Sequence, residues 1–168
     1  MRYFTKELWS KISDDNNAVR MQAEQEWNAN GLSYQRQFEE IKERLPQKFI
    51  KNYLLRNGLH DYIILCMTVI NRAQRYRCEL QLTNGLETIL FTMYELEAMQ
   101  INVDSFQHCI QRKIVWGYSE FEITPENNIQ LSVLCDTQNE MMFQFKSMKI
   151  TKISKKNGGW LSALRICK

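Results

Sequence analysis

The sequence predicts an α+β protein: an N-terminal helical arm of three to four helices over residues 1–58, packed on a mainly antiparallel sheet over residues 59–168. Three observations carry this expectation. Apolar residues recur at steps of three and four as far as Leu54, and at steps of two beyond Leu59. Asn84-Gly85 stands between two apolar stretches, a strong hairpin signal. The strand-like segments follow one another through short turns with no helix between them, which implies antiparallel pairing.

In the arm, Phe4, Leu8 and Ile12 fall on one helical face. Thr5 is placed to act as N-cap, with Phe4 packing on Trp9 as a hydrophobic staple. Asp14 and Asp15 suit the positive end of a second helix, whose stripe is Val19, Ala23 and Trp27. Asn30-Gly31 predicts its stop or a kink. Tyr34, Phe38, Ile41 and Leu45 mark a third helix. Pro46 ends it or opens a fourth, carrying Phe49, Ile50, Tyr53 and Leu54 and capped by Gly58.

Residues 60–70 read as a central strand, greasy on both faces. Cys78, Leu80 and Leu82 alternate with polar residues, and a hairpin leads to a strand over 86–96. Ile101 and Val103 mark another short strand. Ile114, Trp116 and Tyr118 face one way and Phe121 and Ile123 the other, so a bulge is expected near Gly117. Ile129, Leu131, Val133 and Cys135 alternate with their neighbours, and 141–153 gives a further long strand. Asn157-Gly158-Gly159 is placed to turn it back so that 160–166 pairs with it. Six to eight strands follow, curled towards a barrel or sandwich.

The 168 residues, 44% hydrophobic and 24% charged, suit one compact unit that folds without a metal or disulfide staple. Five cysteines with no C-x-x-C pair argue against a disulfide framework or a zinc ribbon. The longest apolar run, 62–69 with Thr68 included, falls far short of a membrane span, and the start puts aromatics and Glu7 where a secretory signal is purely apolar. A cytoplasmic protein is expected.

Charge is segregated: +2 over residues 1–58, −6 over 59–145 and +7 over 146–168, together the +3 of the whole chain. The last stretch, with Lys155, Lys156 and Trp160, has the chemistry to hold a phosphate backbone and stack a base. Its charge is compensated within the same sheet, and lysines also protect exposed sheet edges, so nucleic-acid binding ranks third among the readings.

Nucleotide-binding, serine-hydrolase and zinc-protease motifs are absent. Two histidines exclude a multi-histidine metal site, and no cofactor is expected. The weak catalytic candidates are His60, Asp61, His108 and Cys109. His60 and Asp61 are adjacent, so as strand residues they point apart, and His60 needs a distant partner such as Asp104, His108 or Glu120. The alternative is that both tie the helix end to the strand start. His108 beside Cys109 invites a thiolate reading, but no third orienting group accompanies them. Trp116, Tyr118 and Glu120 form an aromatic and acidic cluster suited either to core packing or to a basic partner.

Four segments, M-R-Y-F-T-K-E-L-W (1–9), R-L-P-Q-K-F (44–49), G-L-H-D (58–61) and W-G-Y-S-E-F-E (116–122), resemble a bacterial family known only as a domain of unknown function. The resemblance implies a compact cytoplasmic bacterial protein with a helical arm and a sheet domain, and it supplies no activity, cofactor or catalytic residue. Residues 59–64 also look like strand starts in immunity-type and other small binding proteins.

The leading expectation is a non-enzymatic protein–protein interaction module, regulatory or immunity-like. Its surface is drawn from Trp116, Tyr118, Glu120, Lys155, Lys156 and Trp160, and its partner is an unidentified protein or a second copy of the chain. A small-ligand binder or hydrolase using His60 is the alternative.

Overall fold

The computed structural model describes residues 1–101, 113–136 and 139–153. Among the described residues, three α-helices precede six antiparallel strands, as the change of apolar period predicts. Helix α1 (Lys6–Ile12) starts at Thr5, whose Oγ1 accepts the Leu8 N–H at 3.2 Å and satisfies one of the donors a helix start leaves open. Phe4 and Trp9 both pack on Trp27 and Tyr118.

Helix α2 (Asn17–Ile41) is capped by Asn16, with Asp14 and Asp15 lying in the turn before it. It runs through Asn30-Gly31 without a break, so the expected second and third helices are one. The local stop signal loses to tertiary contact: Asn30 Nδ2 donates to the Tyr3 carbonyl at 3.0 Å, which uses the side chain away from its own backbone. A 3-10 turn over Lys42–Arg44 leads to Pro46, the N-cap of α3 (Gln47–Leu54). Helix α3 buries Phe49, Ile50 and Tyr53.

The strands are β1 (Ile63–Arg72), β2 (Arg75–Thr83), β3 (Thr88–Ile101), β4 (Ile114–Ile123), β5 (Ile129–Cys135) and β6 (Glu140–Lys152). Their spatial order is β1-β2-β3-β6-β5-β4, and β4 returns to β1 through Ile63↔Val115 and Ile64↔Ile114, closing the sheet into a ring. The Asn84-Gly85 hairpin joins β2 to β3, with Gly85 at φ 85°. Ile101 is the last residue of β3 and not part of a separate strand. The expected strand over 160–166 lies outside the described residues, as does Val103.

One strand placement differs from expectation. Strand β1 begins at Ile63 and pairs with β4 at two positions only among the described residues, so Leu65 and Val69 are exposed rather than buried on a central strand. Strand β6 lies between β3 and β5, but its pairing with β5 ends at Phe145, so Lys146, Lys149 and Lys152 fall on the stretch beyond it, which pairs with β3. Lys149 sits over the Tyr94 ring and Lys152 reaches Glu87.

The core is continuous from arm to sheet. Phe49 of α3 stacks on Phe91 of β3 at 5.6 Å and meets Phe121 of β4 edge-on at 5.7 Å. Phe38, Leu45 and Tyr53 join the same buried cluster as Leu80, Leu131 and Phe143. The arm therefore packs on its own sheet. Among the described residues, no helix is long and apolar enough to cross a membrane.

Strand β4 carries the expected bulge, between Trp116 and Tyr118 opposite Cys135 and Leu134. A Cβ at position 117 would stand 2.6 Å from the Leu134 carbonyl oxygen and 3.3 Å from the Trp9 ring, so the close approach requires glycine. Bulging between the two aromatics puts them on opposite faces, contrary to the shared face that their spacing predicts. Trp116 enters the core, while Tyr118 turns outward to the arm.

Candidate functional site

Between α3 and β1 the backbone takes an unusual path. Asn57, Gly58, Leu59 and Asp61 have φ of 49°, 65°, 67° and 68°, all left-handed, and Leu59 and Asp61 gain nothing from glycine's freedom. The surroundings hold them there. Leu59 is fully buried, His60 N–H donates to the Asn57 carbonyl at 3.1 Å, and Asp61 N–H donates to the Trp116 carbonyl at 2.9 Å. Trp116 N–H returns a bond to the Tyr62 carbonyl at 2.7 Å. The junction is thus tied to β4 through its backbone.

Because residues 60 and 61 precede the strand, the alternation that would separate their side chains does not operate. His60 Nδ1 lies 3.0 Å from Asp61 Oδ2, correcting the expectation that the two point apart. The imidazole is one-third exposed, at 33%, and stands edge-on to Tyr118 with centroids 5.1 Å apart. Asp104, His108 and Cys109 lie outside the described residues. Glu120, the remaining expected partner of His60, is engaged elsewhere.

His60 lines an open cleft of about 380 Å³ together with Phe4, Tyr34, Tyr53, Tyr118 and Ser119. At its floor the Tyr53 hydroxyl and Ser119 Oγ are 2.7 Å apart, and Trp116 Nε1–H donates to the same Oγ at 3.4 Å. Burial pushes the Tyr53 phenol up to about 12, against the opposing effect of that hydrogen bond. Burial also raises the Tyr34 phenol, whose oxygen accepts the Phe121 N–H at 2.8 Å. The hydroxyls here brace the wall of the cleft.

Tyr118 also borders a second open cleft, of about 350 Å³, lined by Trp9 and Ile12 of α1 and by Glu24, Trp27 and Asn28 of α2. The three rings meet nearly at right angles: Trp9–Trp27 at 89°, Trp9–Tyr118 at 76° and Trp27–Tyr118 at 78°, with centroids 4.8–5.7 Å apart. All three are half-buried, so the cluster is packed on one side and open on the other. The sequence places Trp9 in a staple with Phe4 and Trp27 in a packing stripe, and neither at a site.

Of the expected partner surface, Tyr118 stands at this site, but Trp116 and Glu120 do not belong to it. Trp116 is fully buried. Glu120 is 2% exposed and accepts three backbone N–H groups: Arg2 on Oε2 at 2.7 Å, and Tyr3 and Phe4 on Oε1 at 2.8 and 2.7 Å. A carboxylate buried beneath the arm needs such donors, which is why this acid is structural. Lys155, Lys156 and Trp160 lie outside the described residues. Among the described residues no group of three His, Cys, Asp or Glu side chains could hold a metal ion. No protein-family model matches the chain, and no curated protein matches it.

Proposed function

We propose that the chain is a non-enzymatic protein–protein interaction module, regulatory or immunity-like, acting in the cytoplasm, with a contact face formed by the groove between the helical arm and β4. The observation that carries this reading is the Tyr118 ring, which walls both open clefts. Half-buried Trp and Tyr side chains are rigid, amphipathic and held in place by their neighbours, so a partner can cover them at little entropic cost. Placement in the bacterial family of unknown function rests on the four sequence segments and adds no activity.

A small-ligand or hydrolase reading draws on the strained turn at His60, since strain gathers at working sites. Against it, among the described residues His60 meets a single carboxylate, and the nearby Ser119 hydroxyl is engaged by Tyr53. Nucleic-acid binding is supported less, because Lys149 and Lys152 are already occupied by Tyr94 and Glu87.

The test is quantitative capture of a stoichiometric partner from native cells, repeated with Asn28→Arg and Tyr118→Ala. Asn28 is exposed and lines the second cleft, so the arginine obstructs the groove without removing packing. Loss of the partner with Asn28→Arg at an unchanged melting temperature supports the reading. Capture by both variants at the wild-type level, or no stoichiometric partner at all, overturns it.

A further inference from the structure

We propose that the corner formed by Trp9, Trp27, Tyr118 and Glu24 is a receptor for an arginine side chain of a protein partner. This rests on the interaction reading above and names the chemistry of its contact.

Ring faces carry negative potential and attract cations, most strongly at indoles. Two other rings of this protein already have a cation over them: Arg2 lies 5.2 Å from the Tyr3 centroid and Lys149 lies 5.3 Å from that of Tyr94. Among the described residues, no cation of the chain covers Trp9 or Trp27 in this way. Glu24 precedes Trp27 by three residues on α2, which sets its carboxylate on the same face of the helix. Glu24 is exposed, and among the described residues it makes no ion pair or hydrogen bond. An apolar side chain would desolvate that carboxylate without compensation, and an anion would be repelled by it. A cation satisfies carboxylate and rings together.

Arginine fits better than lysine. Its guanidinium is planar and weakly hydrated, so it stacks on an indole while its edge donates to a carboxylate. The cleft, about 350 Å³ and open to solvent, is at the small end of ligand-binding sites and suits one long side chain rather than a folded ligand.

The experiment uses the full chain, ¹⁵N-labelled, titrated with acetyl-Gly-Arg-Gly-amide and with its citrulline counterpart, which keeps the shape and removes the charge. The readout is the indole N–H signals of Trp9 and Trp27, assigned by single Trp→Phe changes. Saturable movement of both signals with the arginine peptide is expected, with the citrulline peptide about fivefold weaker. Glu24→Gln, on an exposed helix position, should weaken arginine binding about threefold at an unchanged melting temperature. No saturable movement, equal binding of the two peptides, or no effect of Glu24→Gln overturns the arginine site. If the peptide fails while Asn28→Arg still abolishes partner capture, the interaction reading stands and the arginine assignment falls. If the peptide binds but Asn28→Arg leaves capture intact, the arginine site stands and the interaction reading falls.

Discussion

The buried carboxylate of Glu120 accepts the backbone N–H of Phe4 at 2.7 Å, joining two residues 116 positions apart. With the Arg2 and Tyr3 N–H groups on the same carboxylate, it fixes the segment leading into α1. Phe4 is thereby seated 5.1 Å from Tyr118 and 5.0 Å from Trp27. The aromatic wall of the candidate site is thus aligned by a charge that the site itself never exposes.

Glu120→Gln should therefore be costly. The amide keeps one acceptor oxygen and turns an NH₂ group towards a backbone donor, so at least one N–H is left unmet. A loss of about 2–3 kcal/mol is expected, read as a lower denaturation midpoint at unchanged slope. The Trp27 fluorescence should change with it as Phe4 loosens. An unaltered midpoint would show that these donors find other acceptors.

Gly117→Ala should destabilise by about 1–3 kcal/mol, because the new methyl meets a backbone carbonyl at 2.6 Å that no side-chain rotation can relieve. Gly85→Ala is the matched control. It has open space around it but a φ of 85°, so only the backbone conformation resists, for about 1 kcal/mol. If both changes cost the same, steric approach at the bulge is not what selects glycine there.

Glu87 predicts an acid limb in the stability curve. Burial raises its pKa, but the Tyr62 hydroxyl at 2.6 Å, the Arg56 guanidinium and Lys152 outweigh this and hold it below the ordinary carboxylate value. A depressed folded pKa gives stability that is present above the unfolded value and is lost as pH falls through the folded one. Melting temperature should therefore drop as pH falls below about 4.3. In Glu87→Gln this part of the decline should disappear, whereas an identical acid limb in both proteins would assign it to other carboxylates.

At the alkaline end the sign reverses. Tyr53 is pushed up to about 12 by burial, and Tyr62 to about 12 by burial and by the Glu87 carboxylate that accepts its hydroxyl. Their neutral forms stabilise the fold fully below about pH 10, the ordinary tyrosine value, and that contribution is lost as pH rises towards 12. Tyrosinate absorbance should show a late component that appears together with loss of the folded circular dichroism. Complete ionisation near pH 10 with the fold intact would contradict the burial of these phenols.

The Cys78 thiol, raised to about 12 chiefly by burial, should resist a thiol reagent at neutral pH in the folded protein, whereas half-buried Cys66 should react faster. Mass spectrometry of the labelled peptides separates the two, and equal rates would mean that the sheet opens readily.

What the sequence by itself determined is what depends on near neighbours. Thr5 as a cap, Pro46 at a helix start, the Asn84-Gly85 hairpin and the glycine bulge at 117 all follow from a few residues and their φ/ψ preferences, and so does the α+β class from the change of apolar period. The tertiary structure alone decided what depends on distant chain segments meeting. Asn30-Gly31 continues a helix because Tyr3 takes its side chain. Trp116 and Tyr118 part company because the bulge falls between them, and His60 pairs with Asp61 because contacts to β4 hold a left-handed turn. Glu120, an acid that composition assigns to the surface, is buried because three backbone donors from the other end of the chain converge on it. Local preference is worth about 1 kcal/mol per residue, whereas a buried charge or an unmet donor is worth more, so the long-range term wins wherever the two disagree.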